Sequence, residues 1–293
     1  MGINISVLIN TFNEEKNIRN CLESVKWADE IIIVDMYSDD RTVEIAREYT
    51  DKIYMHERMG YVEPARQFAL EKASNEWVLA VDADEMVPIE LRNKLIEIAQ
   101  SGEYDAVLIP RINYFFGHKM RGTGWGPLQD MQVRFFKKKY MKYGTRIHEF
   151  SNLDPSARVY KLKDKSVGFI HFNYIDVEHF LEKLNRYTTI EAKNAVDAGE
   201  KFSIAKLLLI MFKEFINRFI RKKGYVDGFQ GFALSMLMMT YRLSAGLKHY
   251  LVERYSSVQT RQKILNEYSR IASDQLAKYV DEEDVKIEKK ISS

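Results

Sequence analysis

The chain has 293 residues, with 44 Lys and Arg against 42 Asp and Glu and a formal net charge of +2. This balance argues against a nucleic-acid partner, because proteins that bind nucleic acids usually present a clearly basic surface. The hydrophobic fraction of 46% excludes a disordered chain, and the single Cys21 excludes a disulfide framework or a zinc site built on several thiols.

Apolar strands alternate with helices along the chain up to Pro110. We predict strands at residues 5–9, 31–35, 52–55, 76–82 and 105–110. Between them we predict helices at residues 11–25, 42–49, 64–73 and 88–100, the first opened by a capping box at residues 11–14. Near-continuous apolar strands separated by helices are typical of an α/β fold with a mostly parallel sheet that is covered on both faces.

Polar side chains follow these strands at their carboxyl ends, where sheets of this kind bind ligands. They are Thr11, Asn13 and Glu14 after the first strand, Asp35 and Asp39 after the second, and Asp82 and Asp84 after the fourth. Two Asp separated by one residue can together hold a divalent cation and the ribose or diphosphate of a nucleotide. The alternative for this pair is a polar helix start ahead of Pro88.

Three of the polar side chains before residue 70 have a specific alternative role. Asp35 or Asp39 can accept from a base N–H or a ribose hydroxyl, and the alternative is an N-cap at Ser38 or Asp39. Arg66 can bind a phosphate or a base carbonyl, and the alternative is a solvated surface residue.

The chain is predicted to be helical from about residue 176, and residues 201–223 form a basic amphipathic stretch. Seven Lys and Arg stand there against one acid, Glu214. This pattern is typical of a helix on an anionic membrane surface. Residues 228–247 carry Arg242 as their only charge and predict a second interfacial or shallow re-entrant helix. The alternative is a helical pair packed on the sheet domain or on a partner subunit, so a homo-oligomer stays open.

Four motifs occur in order in the first half of the chain, at residues 6–15, 33–42, 65–67 and 81–85. In this order they resemble the inverting glycosyltransferases of family 2, which have the nucleotide-sugar-binding GT-A fold. Residues 124–136, 147–149, 171–174, 185–192 and 223–229 extend the resemblance towards the branch that contains lipopolysaccharide-core β-1,4-glucosyltransferases. We therefore expect a GT-A catalytic domain at 1–175, a helical region with interfacial helices at 176–280 and a charged tail at 281–293.

The resemblance implies a nucleotide-diphospho-sugar donor, UDP-linked, a Mg²⁺ or Mn²⁺ cofactor and a base for the acceptor hydroxyl. It assigns the nucleotide sugar to Thr11, Asn13, Glu14, Asp35, Asp39, Arg66, Asp82, Ala83 and Asp84, and the metal to Asp84, His148 and His171. Asp130 falls where the family has an acidic pair, but Gln129 precedes it, which leaves Glu149 as a rival base. The alternatives are an Asp130–Arg134 pair, a salt bridge at Glu149 and structural roles for both histidines.

These features predict a hexosyltransferase that is peripheral on the cytoplasmic face of the cell membrane. The expected acceptor is a lipid-linked glycan or a lipid A core sugar. The N-terminal sequence carries no export signal, which fits a cytoplasmic location. Transfer to a polyprenyl phosphate and a non-catalytic, membrane-docked binding protein of the same fold stay open. A nucleotidyltransferase is disfavoured, because no Gly-rich phosphate loop followed by Lys stands near the N-terminus.

Overall fold

The structure is a computed structural model that describes residues 3–57, 63–144 and 152–291. The chain divides into two compact units. Unit 1 comprises residues 1–179 and 217–234, and unit 2 comprises residues 180–216 and 235–293. Unit 1 therefore includes residues 217–234, which lie within the helical region expected at 176–280.

A ten-stranded mixed sheet forms the centre of unit 1 within the described residues. The strands in chain order are β1 (Ile5–Thr11), β2 (Glu30–Asp35), β3 (Ile53–Met55), β4 (Trp77–Asp82), β5 (Glu85–Met86), β6 (Ala106–Phe115), β7 (His118–Lys119), β8 (Met131–Lys137), β9 (Met141–Lys142), β10 (Asn152–Leu153), β11 (Val159–Lys161) and β12 (Phe169–Tyr174). The sheet order is β3-β2-β1-β4-β8-β6-β12-β5, with β7 and β11 also paired to β6, and β9 and β10 form a separate pair.

Strand β8 lies between β4 and β6 and runs antiparallel to both. Strands β1 to β4 run parallel to one another, and β6, β11 and β12 are also mutually parallel. Thr11 pairs in register with Asp35, and Asn10 pairs with Asp82. The polar ends of β1, β2 and β4 are therefore level at one edge of the sheet.

Helices cover both faces of this sheet. They are α1 (Ile18–Val25), α2 (Thr42–Ala46), α3 (Glu63–Lys72) and α4 (Ile89–Ser101). Because side chains alternate between the faces of a strand, Val7 and Ile9 of β1 pack with α1 and α4. Leu8 between them packs in a second cluster with α3. The predicted α/β class with a mostly parallel sheet is confirmed.

Two predictions about helix starts are wrong. The capping box at residues 11–14 does not open a helix, because Thr11 ends β1 and Asn13 has a left-handed φ of 55°, so that α1 begins only at Ile18. The N-cap expected at Ser38 or Asp39 is also absent from the described start of α2, which begins after Arg41. There Asp40 Oδ1 accepts from the Thr42 N–H over 2.9 Å.

Helices make up the C-terminal part of the chain, as predicted. They are α5 (Val177–Asp197), α6 (Ile204–Phe215), a π-helical turn (Ile216–Arg221), a 3₁₀ turn (Gly224–Asp227), α7 (Gly228–Tyr255) and α8 (Thr260–Ile291). Within unit 2, Lys248 Nζ of α7 donates to oxygens of Asn185, Thr188 and Thr189 of α5 over 2.6–2.8 Å. Across residues 3–57, 63–144 and 152–291, no helix combines the length and the apolar character that crossing a bilayer requires.

Candidate active site

Asp35 is fully buried at the end of β2 and organises the turn that follows it. Thr11 Oγ1 donates to Asp35 Oδ1 over 2.7 Å. Ser38 donates to the same carboxylate through its backbone N–H (2.7 Å) and its hydroxyl (2.6 Å). These three donors fasten the loops after β1 and β2 to each other, so Asp35 holds the shape of this part of the site.

Asn13 and Asp39 form an exposed pair across the same two loops. Asn13 Nδ2 donates to Asp39 Oδ1 over 2.7 Å, and the Asp39 N–H donates to Asn13 Oδ1 over 3.0 Å. Glu14 lies beside them, with its N–H donating to Thr42 Oγ1 over 2.8 Å. The five polar residues predicted after β1 and β2 are therefore brought together, with Asn13 and Asp39 on the solvent side and Thr11 and Asp35 beneath them.

Asp82, at the end of β4, is surrounded by three guanidinium groups. Arg66 Nη2 lies 2.6 Å from Asp82 Oδ1, and Arg111 Nη2 and Arg134 Nη2 lie 2.8 and 2.7 Å from Oδ2. Burial acts to raise the pKa of Asp82, but the charges of Arg134, Arg66 and Arg111 outweigh it and hold that pKa well below its usual range. Glu85, also buried, accepts from Arg111 Nε over 2.6 Å. Three guanidiniums thus face two carboxylates, and Asp84 follows two residues after Asp82, so positive and negative groups are equal in number at this strand end.

Several buried polar atoms beside this cluster lack a partner in the described part of the chain. They include the Nε–H groups of Arg66 and Arg134 and the hydroxyl of Tyr143. A buried donor without an acceptor costs free energy, so an arrangement that keeps such donors usually meets a ligand or water. An anionic oxygen is the natural partner for guanidinium donors. The alternative of a solvated Arg66 is wrong, because its side chain is only 17% exposed.

Asp84 and Asp130 lie at the two ends of a line of polar contacts. His171 Nε2 is 3.5 Å from Asp84 Oδ2, and His171 Nδ1 is 2.6 Å from Asn113 Oδ1. Asn113 Nδ2 donates to Asp130 Oδ2 over 3.0 Å and to the Trp125 carbonyl over 2.9 Å. Asn113 is fully buried and His171 nearly so. One amide therefore positions both the candidate metal ligand and the candidate base.

The donor pair of Asp84 and His171 fits a divalent cation. Because the Asn113 amide N–H₂ donates to Asp130 and Trp125, its oxygen faces His171 and accepts a hydrogen bond from Nδ1–H. In the neutral ring this leaves the Nε2 lone pair directed at the Asp84 carboxylate, and a metal-binding His is commonly oriented by such a contact at its other nitrogen. Within the described residues no three His, Cys, Asp or Glu converge on a metal position. Mg²⁺ often takes one or two carboxylates and completes its shell with water and substrate phosphates.

The remaining predictions for the site concern Asp130, Ala83, His148 and Glu149. The alternative of an Asp130–Arg134 pair is wrong, since Arg134 binds Asp82, and Asp130 Oδ1 accepts from Gln132 Nε2 over 3.3 Å. Ala83 is buried in the core beside β4. His148 and Glu149 lie outside the described residues.

Three site residues, Arg111, Asn113 and Arg134, were not assigned to these contacts from the sequence. Arg111 and Asn113 stand at alternating positions of β6, which we predicted to end at Pro110 and which continues to Phe115. Alternation places Arg111 and Asn113 on the same face of the strand. The available signal was therefore the polar-apolar alternation that continues after the proline.

Comparisons of the sequence with known proteins find glycosyltransferases. The model of the family Glycosyl transferase family 2 matches residues 6–163. An uncharacterized glycosyltransferase of Rickettsia typhi is 30% identical over 80% of this chain and 82% of that protein. The lipopolysaccharide core biosynthesis glycosyltransferase LpsC of Rhizobium meliloti is 27% identical over 84% of this chain and 92% of that protein. The structure of the mannosyltransferase PcManGT of Pyrobaculum calidifontis with GDP-Man and Mn²⁺ aligns with a TM-score of 0.48 and 14% identity, over 85% of this chain and 88% of that one.

The family match identifies the chain as a glycosyltransferase, and the parallel strands with acidic residues at their carboxyl ends, followed by the antiparallel β8, form its GT-A-type α/β fold. The match over residues 6–163 spans more than half of the chain. The chain belongs to glycosyl transferase family 2, which confirms the resemblance drawn from its motifs.

Proposed function

We propose that this chain is an inverting, metal-dependent hexosyltransferase that moves a sugar from a UDP-linked donor to a lipid-linked glycan or lipid A core acceptor. The observation that carries the proposal is the line from Asp84 through His171 and Asn113 to Asp130. It brings a candidate cation-binding pair and a candidate base within one buried hydrogen-bonded network. The similarity to LpsC, a lipopolysaccharide core biosynthesis protein, supports the acceptor class.

The donor side of the reaction belongs to the strand ends. The cluster around Asp82 offers the Nε–H groups of Arg66 and Arg134, unpaired within the described residues, to phosphate oxygens. The exposed Asn13–Asp39 pair offers polar atoms to the nucleoside. Asp84 and His171 would hold Mg²⁺ or Mn²⁺. When bound, this cation neutralises the charge that builds on a departing diphosphate.

The acceptor side belongs to Asp130. As the acceptor hydroxyl attacks the anomeric carbon, Asp130 takes its proton, and the bond from that carbon to the diphosphate oxygen breaks in the same displacement. A single displacement inverts the anomeric centre. Asn113 donates to Asp130 Oδ2 and keeps the carboxylate turned toward the site. Glu149 is the rival base.

The helical part supports a peripheral position on the cytoplasmic face of an anionic membrane. In α6 the side chains of Ile204, Leu208, Leu209 and Phe212 are each more than half exposed. Lys206 lies among them in sequence, and Lys213 follows directly after Phe212. An exposed apolar stripe next to cations is suited to the boundary of lipid headgroups and acyl chains.

The test is release of nucleoside diphosphate from a panel of nucleotide sugars, with Mn²⁺, with Mg²⁺ or with EDTA. We expect slow hydrolysis of one donor, lost with EDTA and in Asp84→Ala. With an acceptor extract, Asp130→Ala is expected to lower kcat by roughly 10²–10⁴-fold, the usual contribution of a general base. Asp164→Ala is the matched control, because the Asp164 carboxylate accepts hydrogen bonds from its neighbour Ser166, far along the chain from the strand-end cluster.

Other outcomes assign the alternatives. If Asp130→Ala and Glu149→Ala both transfer at the rate of the parent, the acceptor needs no base, and a polyprenyl phosphate becomes the expected acceptor. If the protein binds a nucleotide sugar but neither hydrolyses nor transfers it, the non-catalytic binding protein is the correct function. Loss of activity in Glu149→Ala alone moves the base to Glu149.

A further inference from the structure

Residues 220–232 of unit 1 expose an unusual density of large apolar side chains next to cations. Phe229 is 81% exposed, and Ile220, Tyr225 and Phe232 are 50, 52 and 43% exposed. Arg221 and Lys223 are also exposed and lie between Ile220 and Tyr225 in sequence. We call these six residues the aromatic–cationic patch. Scattered exposed apolar residues are ordinary, but a contiguous group rimmed by charge marks a docking surface.

The charge of this region points to the class of partner. Between residues 215 and 252 the sequence contains one acid, Asp227. Its side chain is fully buried, so it offers no negative charge to a partner. Aromatic rings beside Lys and Arg suit the lipid headgroup level, where the rings enter the interface and the cations meet anionic headgroups.

The patch is fastened to the loop that carries Asp130. Asp227 accepts from the backbone N–H groups of Arg121 and Gly122, each over 2.8 Å. The Thr123 N–H donates to the Lys222 carbonyl over 2.8 Å, and Arg218 lies over the Trp125 ring at 4.2 Å. Gln129, next to Asp130, donates to the same Lys222 carbonyl over 3.1 Å.

Close backbone contact makes this attachment rigid. A Cβ at Gly122 would lie 2.2 Å from the Lys223 carbonyl oxygen, so only glycine permits the approach. We propose that the aromatic–cationic patch docks on an anionic lipid bilayer and thereby sets the Asp130 loop at the membrane surface. This inference rests on the proposed function, in which Asp130 is the base and the acceptor is carried on a lipid of the same membrane.

The test measures binding of the full chain to vesicles of phosphatidylcholine alone and of equal parts phosphatidylcholine and phosphatidylglycerol. We expect binding to the anionic vesicles, weakened roughly 25-fold in Arg221→Gln/Lys223→Gln, at about fivefold for each cation removed. Ile220→Ser/Phe229→Ser is expected to weaken it by about tenfold or more. Thermal unfolding of each variant verifies that it is folded.

Matched controls lie on α8, where Arg261 and Lys263 are exposed and Tyr268 and Leu276 are 63 and 64% exposed. Arg261→Gln/Lys263→Gln and Tyr268→Ser/Leu276→Ser are expected to bind as the parent does. Equal losses in control and patch variants would overturn the proposal, as would a parent chain that ignores anionic vesicles. Self-association that Phe229→Ser abolishes, without any vesicle binding, would assign the patch to a second copy instead.

Donor hydrolysis without vesicles separates this proposal from the proposed function. None of the patch residues is assigned to donor binding, so the patch variants are expected to hydrolyse the donor at the parental rate. A parent that binds vesicles through the patch but never hydrolyses a donor would leave docking intact and overturn the transferase mechanism. Donor hydrolysis at the full rate with no vesicle binding would overturn the docking proposal and leave the transferase mechanism intact.

Discussion

Replacing Asn113 by Ala tests the arrangement of the site most directly. The change removes one fully buried side-chain amide but does not alter the candidate metal ligands Asp84 and His171 or the candidate base Asp130. The lost contacts are the donors to Trp125 O (2.9 Å) and Asp130 Oδ2 (3.0 Å) and the acceptor for His171 Nδ1 (2.6 Å). At about 1 kcal/mol for each neutral hydrogen bond and about 2 for the one to a carboxylate, the expected loss of stability is about 4 kcal/mol.

The effect on catalysis is expected to exceed the effect on folding. Without its amide partner, Asp130 keeps the longer contact to Gln132 Nε2 (3.3 Å), which leaves Oδ2 less firmly held. A displacement of about 1 Å at a reacting group costs about 10²-fold in rate. Donor transfer is measured below the unfolding transition, with kcat and KM determined separately. We expect the loss in kcat, and a fall in Tm of about 10 °C, which is what about 4 kcal/mol produces in a unit of this size.

Asp105→Asn provides the matched control. Asp105 is buried at the start of β6 and binds Lys137 (2.9 Å) and Arg158 (2.8 Å), outside the strand-end cluster. Because Arg158 is 56% exposed, removing the charge of Asp105 is expected to cost about 1.5–3 kcal/mol, as for the loss of a hydrogen bond to a charged group, while kcat is expected to stay at the parental value. If Asn113→Ala and Asp105→Asn both lose stability and both keep kcat, the role of Asn113 is purely structural and the reasoning about Asp130 is refuted.

Three further predictions concern stability. Asp82→Asn leaves Arg66, Arg111 and Arg134 without their shared carboxylate and is expected to destabilise unit 1 by about 3–5 kcal/mol in urea unfolding, against no change for Asp164→Asn. Burial acts to raise the pKa of Glu30, but hydrogen bonds from Lys52, Ser6 and Ser74 lower it to about 2. Since this folded pKa is depressed, the resulting stability of about 3 kcal/mol is present above pH 4.5 and is lost as the pH falls toward 2; a Glu30→Gln variant should show a flatter stability profile across that window. Gly231→Ala would place a Cβ 1.9 Å from the Gly224 carbonyl oxygen. It should lower Tm more than Gly199→Ala, whose Cβ meets no atom within 4 Å and which carries only the backbone cost of a side chain at a φ of 72°, about 1–2 kcal/mol; equal shifts would contradict the close approach.

The sheet and its strand-end residues could be predicted because each signal is local. Short apolar runs such as residues 31–35 are typical of buried parallel strands. Because parallel strands end at the same edge of the sheet, the positions of the polar residues that follow them can be predicted too. Thr11, Asp35 and Asp82 were found for this reason. The bounds were less predictable: Thr11–Glu14 has the composition of a capping box, but its hydroxyl instead donates to Asp35 from the neighbouring strand.

The partners of the site residues could not be predicted, because they depend on contacts between distant parts of the chain. Arg66, Arg111 and Arg134 converge on Asp82 only once β4, β6 and β8 are neighbours. Asp227 reaches the loop before Asp130 from about a hundred residues away in sequence. Neither contact has a spacing or periodicity that marks it in the sequence.

The position of β8 has a consequence for the order in which the chain acquires its structure during synthesis. Strands β1 to β4 pair through short connections, so they can assemble as soon as residue 82 is free of the ribosome. One edge of β4 then waits for β8, which begins at Met131. At roughly 5–20 residues per second, that edge stays open for a few seconds. During this time β4 (Trp77–Asp82) is an unpaired edge strand that is apolar along most of its length. Such an edge can pair with a strand of another chain and lead to aggregation. The nascent chain is therefore most in need of a chaperone between the emergence of β4 and that of β8.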